Sequence, residues 1–262
     1  MLSVSTAQID AWIVAFAFPL FRILAFIASA PLWSTAGIPR RTRLILGLAI
    51  TMAMAPALPA MPAVAPASMA GLWILAQQIL IGVGMGFAAR IVFAAIDMAG
   101  EFIGMQMGLG FATSYDPLNS SQTPVIGEFL RIIALLLFLS LNGHLMYIAT
   151  LAQSFYAIPV AENLNLGAGS WLNIAELGGK IFSAGLLISL PVIVALMITN
   201  VALAVLTRAA PQLNIFALGF PLTLGGGFIA MAISMHYLAS PFQTLFEFAL
   251  SAMLGFAVVT GQ

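Results

Sequence analysis

Six stretches of this chain run for about the length of a membrane-crossing helix with almost no charge: Ile9–Ala30, Leu44–Met61, Gly71–Ile96, Phe129–Leu151, Ile181–Leu206 and Ile215–Leu238. About 20 mostly apolar residues suffice to carry a helix across the hydrocarbon of a bilayer. A seventh apolar patch, Pro241–Val259, contains Gln243 and Glu247 and reads either as a last span or as an interfacial helix. Charged residues make up only 6% of the 262 positions, and the mean hydropathy is +1.11. A soluble domain carries about 25% charged residues, so this chain could not cover a water-facing surface. The expected fold class is an all-α membrane protein of about six long hydrophobic helices, in a single integral membrane domain over residues 1–262. Hydropathy reports what cannot face water. It does not distinguish lipid from protein as the burying partner.

Charge placement sets the expected topology. The eight basic and eight acidic residues balance, so no polybasic surface suits a nucleic acid. The only basic cluster is Arg40, Arg41 and Arg43, and Arg208 stands alone between the fifth and sixth stretches. Loops rich in Lys and Arg stay cytoplasmic. That places both loops inside and, with six spans, both termini outside. Pro56, Pro59, Pro62 and Pro66 break the chain between the second and third stretches. Ala28-Ser29-Ala30 imitates a signal-peptidase site, but Asp10 and Arg22 interrupt the run before it and Pro31 follows it, so a retained first segment is expected.

Enzyme chemistry has little to stand on. There is no HExxH, no Gly-x-Ser-x-Gly and no phosphate-binding loop; Gly178-Gly179-Lys180 lacks the upstream glycine and the Ser/Thr. Cysteine is absent, which removes disulfides and thiolate ligands. His144 and His236 lie in different segments without clustered acids, so neither a metal site nor a cofactor is expected. Asn142 and His144 read as a buried polar corner that bonds backbone or a neighbouring helix, with a proton relay as the sharper alternative. Arg22, inside the first apolar stretch, costs about 2.5–3.5 kcal/mol on insertion scales. It must face protein, a carboxylate or a water path.

The middle of the chain is the most unusual part. Arg90, Asp97 and Glu101 are spaced seven and four apart and share one helix face, either a solvated helix end or a polar stripe that lines a cavity or docks a partner. Gly100, Gly104 and Gly108 form a GxxxGxxxG pattern, suited to close helix packing. Gly82, Gly84 and Gly86 make a second glycine-rich patch upstream. Then comes GLGFATSYDP, Gly108–Pro117. Gly110 permits positive φ, Pro117 disfavours helix at Asp116, and Asp116 can accept backbone hydrogen bonds in a turn. The helix is predicted to end near Gly108–Gly110, with a loop to about Pro124. Phe111, Tyr115 and Leu118 suit a re-entrant loop in a pore, although an ordinary extramembrane loop fits the same residues.

Three elements together resemble a known family: Gly104-Met105-Gln106-Met107-Gly108-Leu109-Gly110-Phe111-Ala112-Thr113, then Tyr115-Asp116-Pro117, then Leu135–Leu145 with Asn142-Gly143-His144. They look like the FliR family of export-gate proteins of the flagellar type III secretion apparatus. The related SctT proteins serve virulence injectisomes; the Asn-Gly-His form looks flagellar, and a virulence injectisome export-gate subunit is the alternative within this resemblance. The resemblance implies a non-catalytic subunit in the bacterial inner membrane, at the flagellar basal body. It implies FliP-like and FliQ-like sister subunits in a helical, pore-forming assembly, FlhB-like and FlhA-like neighbours, and unfolded export substrates. A plug loop within residues 106–123 is implied by motif match, with Gly108, Gly110, Phe111, Tyr115, Asp116 and Pro117 as its residues. Alternatives of other classes are a small-solute secondary transporter with a helix broken at 108–117, and a structural membrane scaffold.

Overall fold

The computed structural model describes the backbone of residues 6–34, 37–110, 124–161, 168–210 and 215–258. Among these residues the regular structure is helical throughout. We number the α-helices α1 (Thr6–Ser29), α2 (Arg40–Met54), α3 (Met69–Gln106), α4 (Val125–Ser140), α5 (Gly143–Ala157), α6 (Ala168–Ala209), α7 (Ile215–Ser234) and α8 (Ala239–Val258). Short 3-10 turns at Ala55–Ala57 and Met235–Tyr237 follow α2 and α7.

Among the described residues, four helices are long and apolar enough to cross a membrane: α1, α3, α6 and α7, or up to five spans if the bent pair α4–α5 counts as one. The expectation of about six is thus reduced, for two local reasons. Over Leu44–Met61 the helix stops at Met54, because Pro56 follows in a 3-10 turn. Its 15 residues extend about 22 Å at 1.5 Å each, short of a hydrocarbon core of about 30 Å. Over Phe129–Leu151 the run breaks at Asn142, whose φ of 56° is left-handed, and α4 and α5 diverge by 67°. Left-handed backbone costs a residue with a Cβ about 1–2 kcal/mol, and Asn tolerates it best. Two other stretches are longer than expected: α3 has 38 residues and α6 has 42.

The chain divides into two compact units. The first comprises Met1–Ile91, Asn142–Leu177 and Glu247–Gln262. Its core forms where α1 lies against α3. Val14, Phe18, Arg22 and Phe26 are buried at four-residue spacing on one face of α1. Gly82 and Gly86 of α3 receive that face. A Cβ at Gly82 would overlap the Arg22 carbonyl, and one at Gly86 would overlap the Ser29 hydroxyl. The upstream glycine patch therefore serves a backbone-close crossing. Gly47 gives α2 the same freedom against Leu24. Tyr147 of α5 completes the core, its hydroxyl donating to Ala89 O at 3.1 Å and its ring meeting Phe26 edge-on at 6.3 Å.

Arg22 is fully buried in this unit. Its Nε donates to Gln78 Oε1 at 2.7 Å, Nη1 to Ser154 O at 3.0 Å and Ser154 Oγ at 3.2 Å, and Nη2 to Ile158 O at 2.9 Å. The guanidinium also sits 4.1 Å from the centre of the Phe155 ring. Of the three environments expected for Arg22, the structure selects protein. Its counter-charge is the C-terminal end of α5, where carbonyls point outward and the helix dipole is negative.

The second unit comprises Val92–Leu141 and Gly178–Phe246. Phe138 links its helices, meeting Phe93 at 5.8 Å and Phe246 at 5.4 Å between ring centres, both edge-on. Gly185 of α6 lets that helix approach Ala95 O and Met98 of α3.

Candidate functional site

Of the residues singled out from the sequence, Asp97, Gly100, Glu101, Gly104 and Gly108 lie along the end of α3 and its stop, within the second unit, where α3 meets the start of α4. Gly100 and Gly127 are the crossing point. A Cβ at Gly100 would overlap Gly127 Cα and stand 2.6 Å from Gly127 N, so the two backbones touch. At Gly104, buried and one turn further on, a Cβ would meet no described atom within 4 Å.

One turn before the crossing, Asp97 pairs with Arg131 of α4 at 3.0 Å, and Arg131 also reaches Glu128 at 3.5 Å. Arg90, expected to neutralise part of this face, instead donates to Ser34 Oγ at 3.1 Å within the first unit. Glu101 is exposed. The side chains of Arg131 and Asp97 are 45% and 39% exposed, and such pairs are worth about 0.2–1 kcal/mol in water. Asp97→Asn should therefore lower the thermal stability of the purified protein only marginally. A loss as large as that of a core deletion would show the pair to be desolvated.

Helix α3 ends where the sequence indicated, and the means is visible. Gly108 has a φ of 85°. Its N–H donates to Met105 O at 3.1 Å, and Leu109 N–H donates to Gly104 O at 2.9 Å. These are the two bonds of a Schellman stop, which uses a left-handed residue, usually glycine, to satisfy the last helix carbonyls. Gly108 terminates the helix because only glycine adopts that φ without strain. Gly110 follows at the edge of the described chain. Phe111, Tyr115, Asp116 and Pro117 lie outside the described residues.

Met107, the last residue before this stop, is fully buried. Two residues of α7 hold it. Thr223 Oγ1 lies 3.3 Å from Met107 O, and a Cβ at Gly227 would stand 2.6 Å from Met107 Cγ. Sequence reasoning missed Gly127, Arg131, Thr223 and Gly227. The only local signals were a small residue three past Pro124 and an acid–base pair at Glu128 and Arg131; their partners lie on other helices.

Asn142 holds the left-handed kink between α4 and α5, and its side chain is exposed and caps nothing. Its contribution to the expected buried corner is conformational, since its carbonyl accepts Leu145 N–H at 2.9 Å and Met146 N–H at 3.1 Å. His144 is half-buried, with Nδ1 shielded and without a partner among the described residues. No group of three His, Asp or Glu among those residues is placed to hold a metal ion.

Residues 13–249 match the sequence model of a family described as bacterial export proteins, family 1. The chain is 44% identical to the flagellar biosynthetic protein FliR of Escherichia coli strain K12, over 94% of both chains. It is 43% identical to FliR of Pectobacterium carotovorum, again over 94% of both, and 31% identical to FliR of Bacillus subtilis over 71% of this chain and 72% of the other. This chain belongs to the FliR family. The family match runs from within α1 to within α8 and contains the glycine crossing, the Schellman stop and the seat of Met107.

Proposed function

We propose that this FliR-family chain is a non-catalytic subunit of the flagellar type III protein export gate in the bacterial inner membrane. In this reading it joins FliP-like and FliQ-like sister subunits, with FlhB-like and FlhA-like proteins beside them, around a channel for unfolded substrates. The observation that carries the reading is family membership combined with the close crossing at Gly100–Gly127 and the stop at Gly108, which bracket residues 111–123 in the sequence. Those residues form the plug in this proposal: Phe111 and Tyr115 supply area for a seal, Gly108 and Gly110 allow the backbone to turn, and Asp116-Pro117 turns it back.

Two further features favour an assembly. Only 22% of the apolar span in α6 and 11% of that in α7 is buried within the chain. Val194, Ile198, Val201 and Val205 form one exposed stripe on α6. The 34-residue apolar span Glu176–Ala209 of α6 has a contour of about 51 Å, beyond the about 40–45 Å of a bilayer with its headgroups. Apolar surface that leaves the bilayer needs protein to cover it, which sister subunits provide.

The experiment is deletion of Phe111–Asp116 in the assembled gate. Increased permeability of the membrane to small ions, with export partly retained, is expected. Unchanged conductance in gates that contain the truncated chain would overturn the plug. Solute transport by the isolated chain in liposomes would favour the secondary-transporter reading instead.

A further inference from the structure

Met107, the residue before the Gly108 stop, is packed by a different helix, α7. Among the described side chains of α7 only Thr223, Gly227 and Met231 are buried. They recur every four residues, so α7 rests on its unit along one narrow stripe. Two of the three bear on Met107. The Thr223 hydroxyl carries one proton, shared among Gly219 O at 3.0 Å, Phe220 O at 3.1 Å and Met107 O at 3.3 Å. The steric contact is the firmer one. The Met107 side chain fills the space that any Cβ at residue 227 would take, with Cγ at 2.6 Å and both Sδ and Cε at 2.9 Å from it. Carbon atoms do not approach this closely without displacement.

Met107 cannot yield cheaply. It is fully buried, and its backbone is tied into the stop: its N–H donates to Ile103 O at 2.9 Å, and the next N–H closes the turn on Met105 O. Pressure on Met107 is therefore transmitted to Gly108. The neighbouring glycines provide a contrast. A Cβ at Gly225 would meet no described atom within 4 Å, and one at Gly226 would touch Leu196 and Thr199 only at ordinary distance, 4.0 Å. Of the three consecutive glycines, only Gly227 is required by packing against Met107. The remaining faces of α7 are apolar and exposed, with Phe220, Leu222, Phe228, Ile229 and Ile233 outward.

We infer that Gly227 is a positioning residue for the Gly108 turn, acting through the side chain of Met107, so that α7 sets where the gating segment leaves α3. The inference rests on the plug reading above. Its functional content is that a displacement of α7 reaches the channel seal without any change in the plug residues themselves.

The test compares two chemically identical substitutions on one helix. Gly225→Ala and Gly227→Ala each replace glycine by the best helix former, so any general effect on α7 is common to both. Each is introduced into the full chain, co-purified with its sister subunits and measured by ion conductance in planar bilayers, with assembly yield recorded in parallel. Gly227→Ala is expected to raise conductance several-fold at normal assembly, whereas Gly225→Ala leaves it at the wild-type level. Adding Met107→Ala to Gly227→Ala makes room for the new methyl and should return conductance toward wild type. Equal conductance of the two single variants, or a double variant as leaky as Gly227→Ala alone, would overturn the inference. The deletion of Phe111–Asp116 is run beside them. If the deletion leaks and Gly227→Ala does not, the positioning role fails and the plug stands; if the deletion does not leak, the plug itself fails.

Discussion

Arg22→Met is expected to destabilise the folded chain by about 2–6 kcal/mol, the desolvation cost of the two buried acceptors it leaves without a donor. The side chain is fully buried and serves three acceptor residues on two helices: Gln78 on α3, and Ser154 and Ile158 at the end of α5. Methionine fills much of the volume but leaves Gln78 Oε1 and Ile158 O without their donor. Each orphaned buried acceptor carries a desolvation penalty of about 1–3 kcal/mol. Lysine should recover little. One ammonium is a point charge, whereas the guanidinium presents five N–H donors in a fixed plane and stacks on Phe155.

An opposing effect has to be separated from this one. Removing a central arginine favours insertion of the first segment by about 2.5–3.5 kcal/mol. Arg22→Met should therefore insert at least as well as the wild type while melting earlier in detergent. Combining it with Gln78→Leu should recover part of the loss, because one orphaned acceptor disappears. An unchanged melting temperature for Arg22→Met would show that the network contributes nothing to stability.

Gly100→Leu is expected to be equally damaging, for a steric reason. The Gly100 and Gly127 backbones are in contact, and backbone has no rotamer with which to move aside. Overpacking a core costs about 1–3 kcal/mol even where side chains can adjust. Here the helices themselves must part, and Asp97 and Arg131 lie one turn away. The comparison is Gly104→Ala, four residues along the same helix, where a Cβ meets no described atom. That substitution should stabilise α3 by about 0.5–1 kcal/mol. If the Gly104→Ala chain is stable alone but no longer co-purifies with sister subunits, the close approach at Gly104 belongs to an interface between chains. If Gly100→Leu melts with the wild type, the α3–α4 crossing is wrong.

Legibility in the sequence followed the range of the interaction. The end of α3 near Gly108–Gly110 was readable because a left-handed φ is a property of one residue and its own turn, although that φ stands at Gly108 and not at Gly110. The long apolar helices α1, α3, α6 and α7 were readable because transfer out of water adds up residue by residue. The second and fourth stretches misled for the same reason. A hydropathy sum over Leu44–Met61 does not register that Pro56 ends the helix, and one over Phe129–Leu151 does not register a left-handed Asn142. Among the glycines, spacing alone put Gly100 and Gly104 in one class. Of these two, only Gly100 meets another backbone among the described residues.

The amino-acid sequence by itself determined the solvent this protein must avoid, the helical class, the place where α3 stops and, through its motifs, the FliR family. These depend on local composition and short spacing. The tertiary structure alone decided the partners: Arg22 with the end of α5, Gly100 with Gly127, Asp97 with Arg131 rather than Arg90, and Met107 with Gly227. Each of these pairs joins residues more than 25 positions apart. Apolar burial cannot select among them, since it is non-directional and nearly equal for every greasy face. Directional hydrogen bonds and the absence of a Cβ make the selection, and both act only once the helices have been brought together.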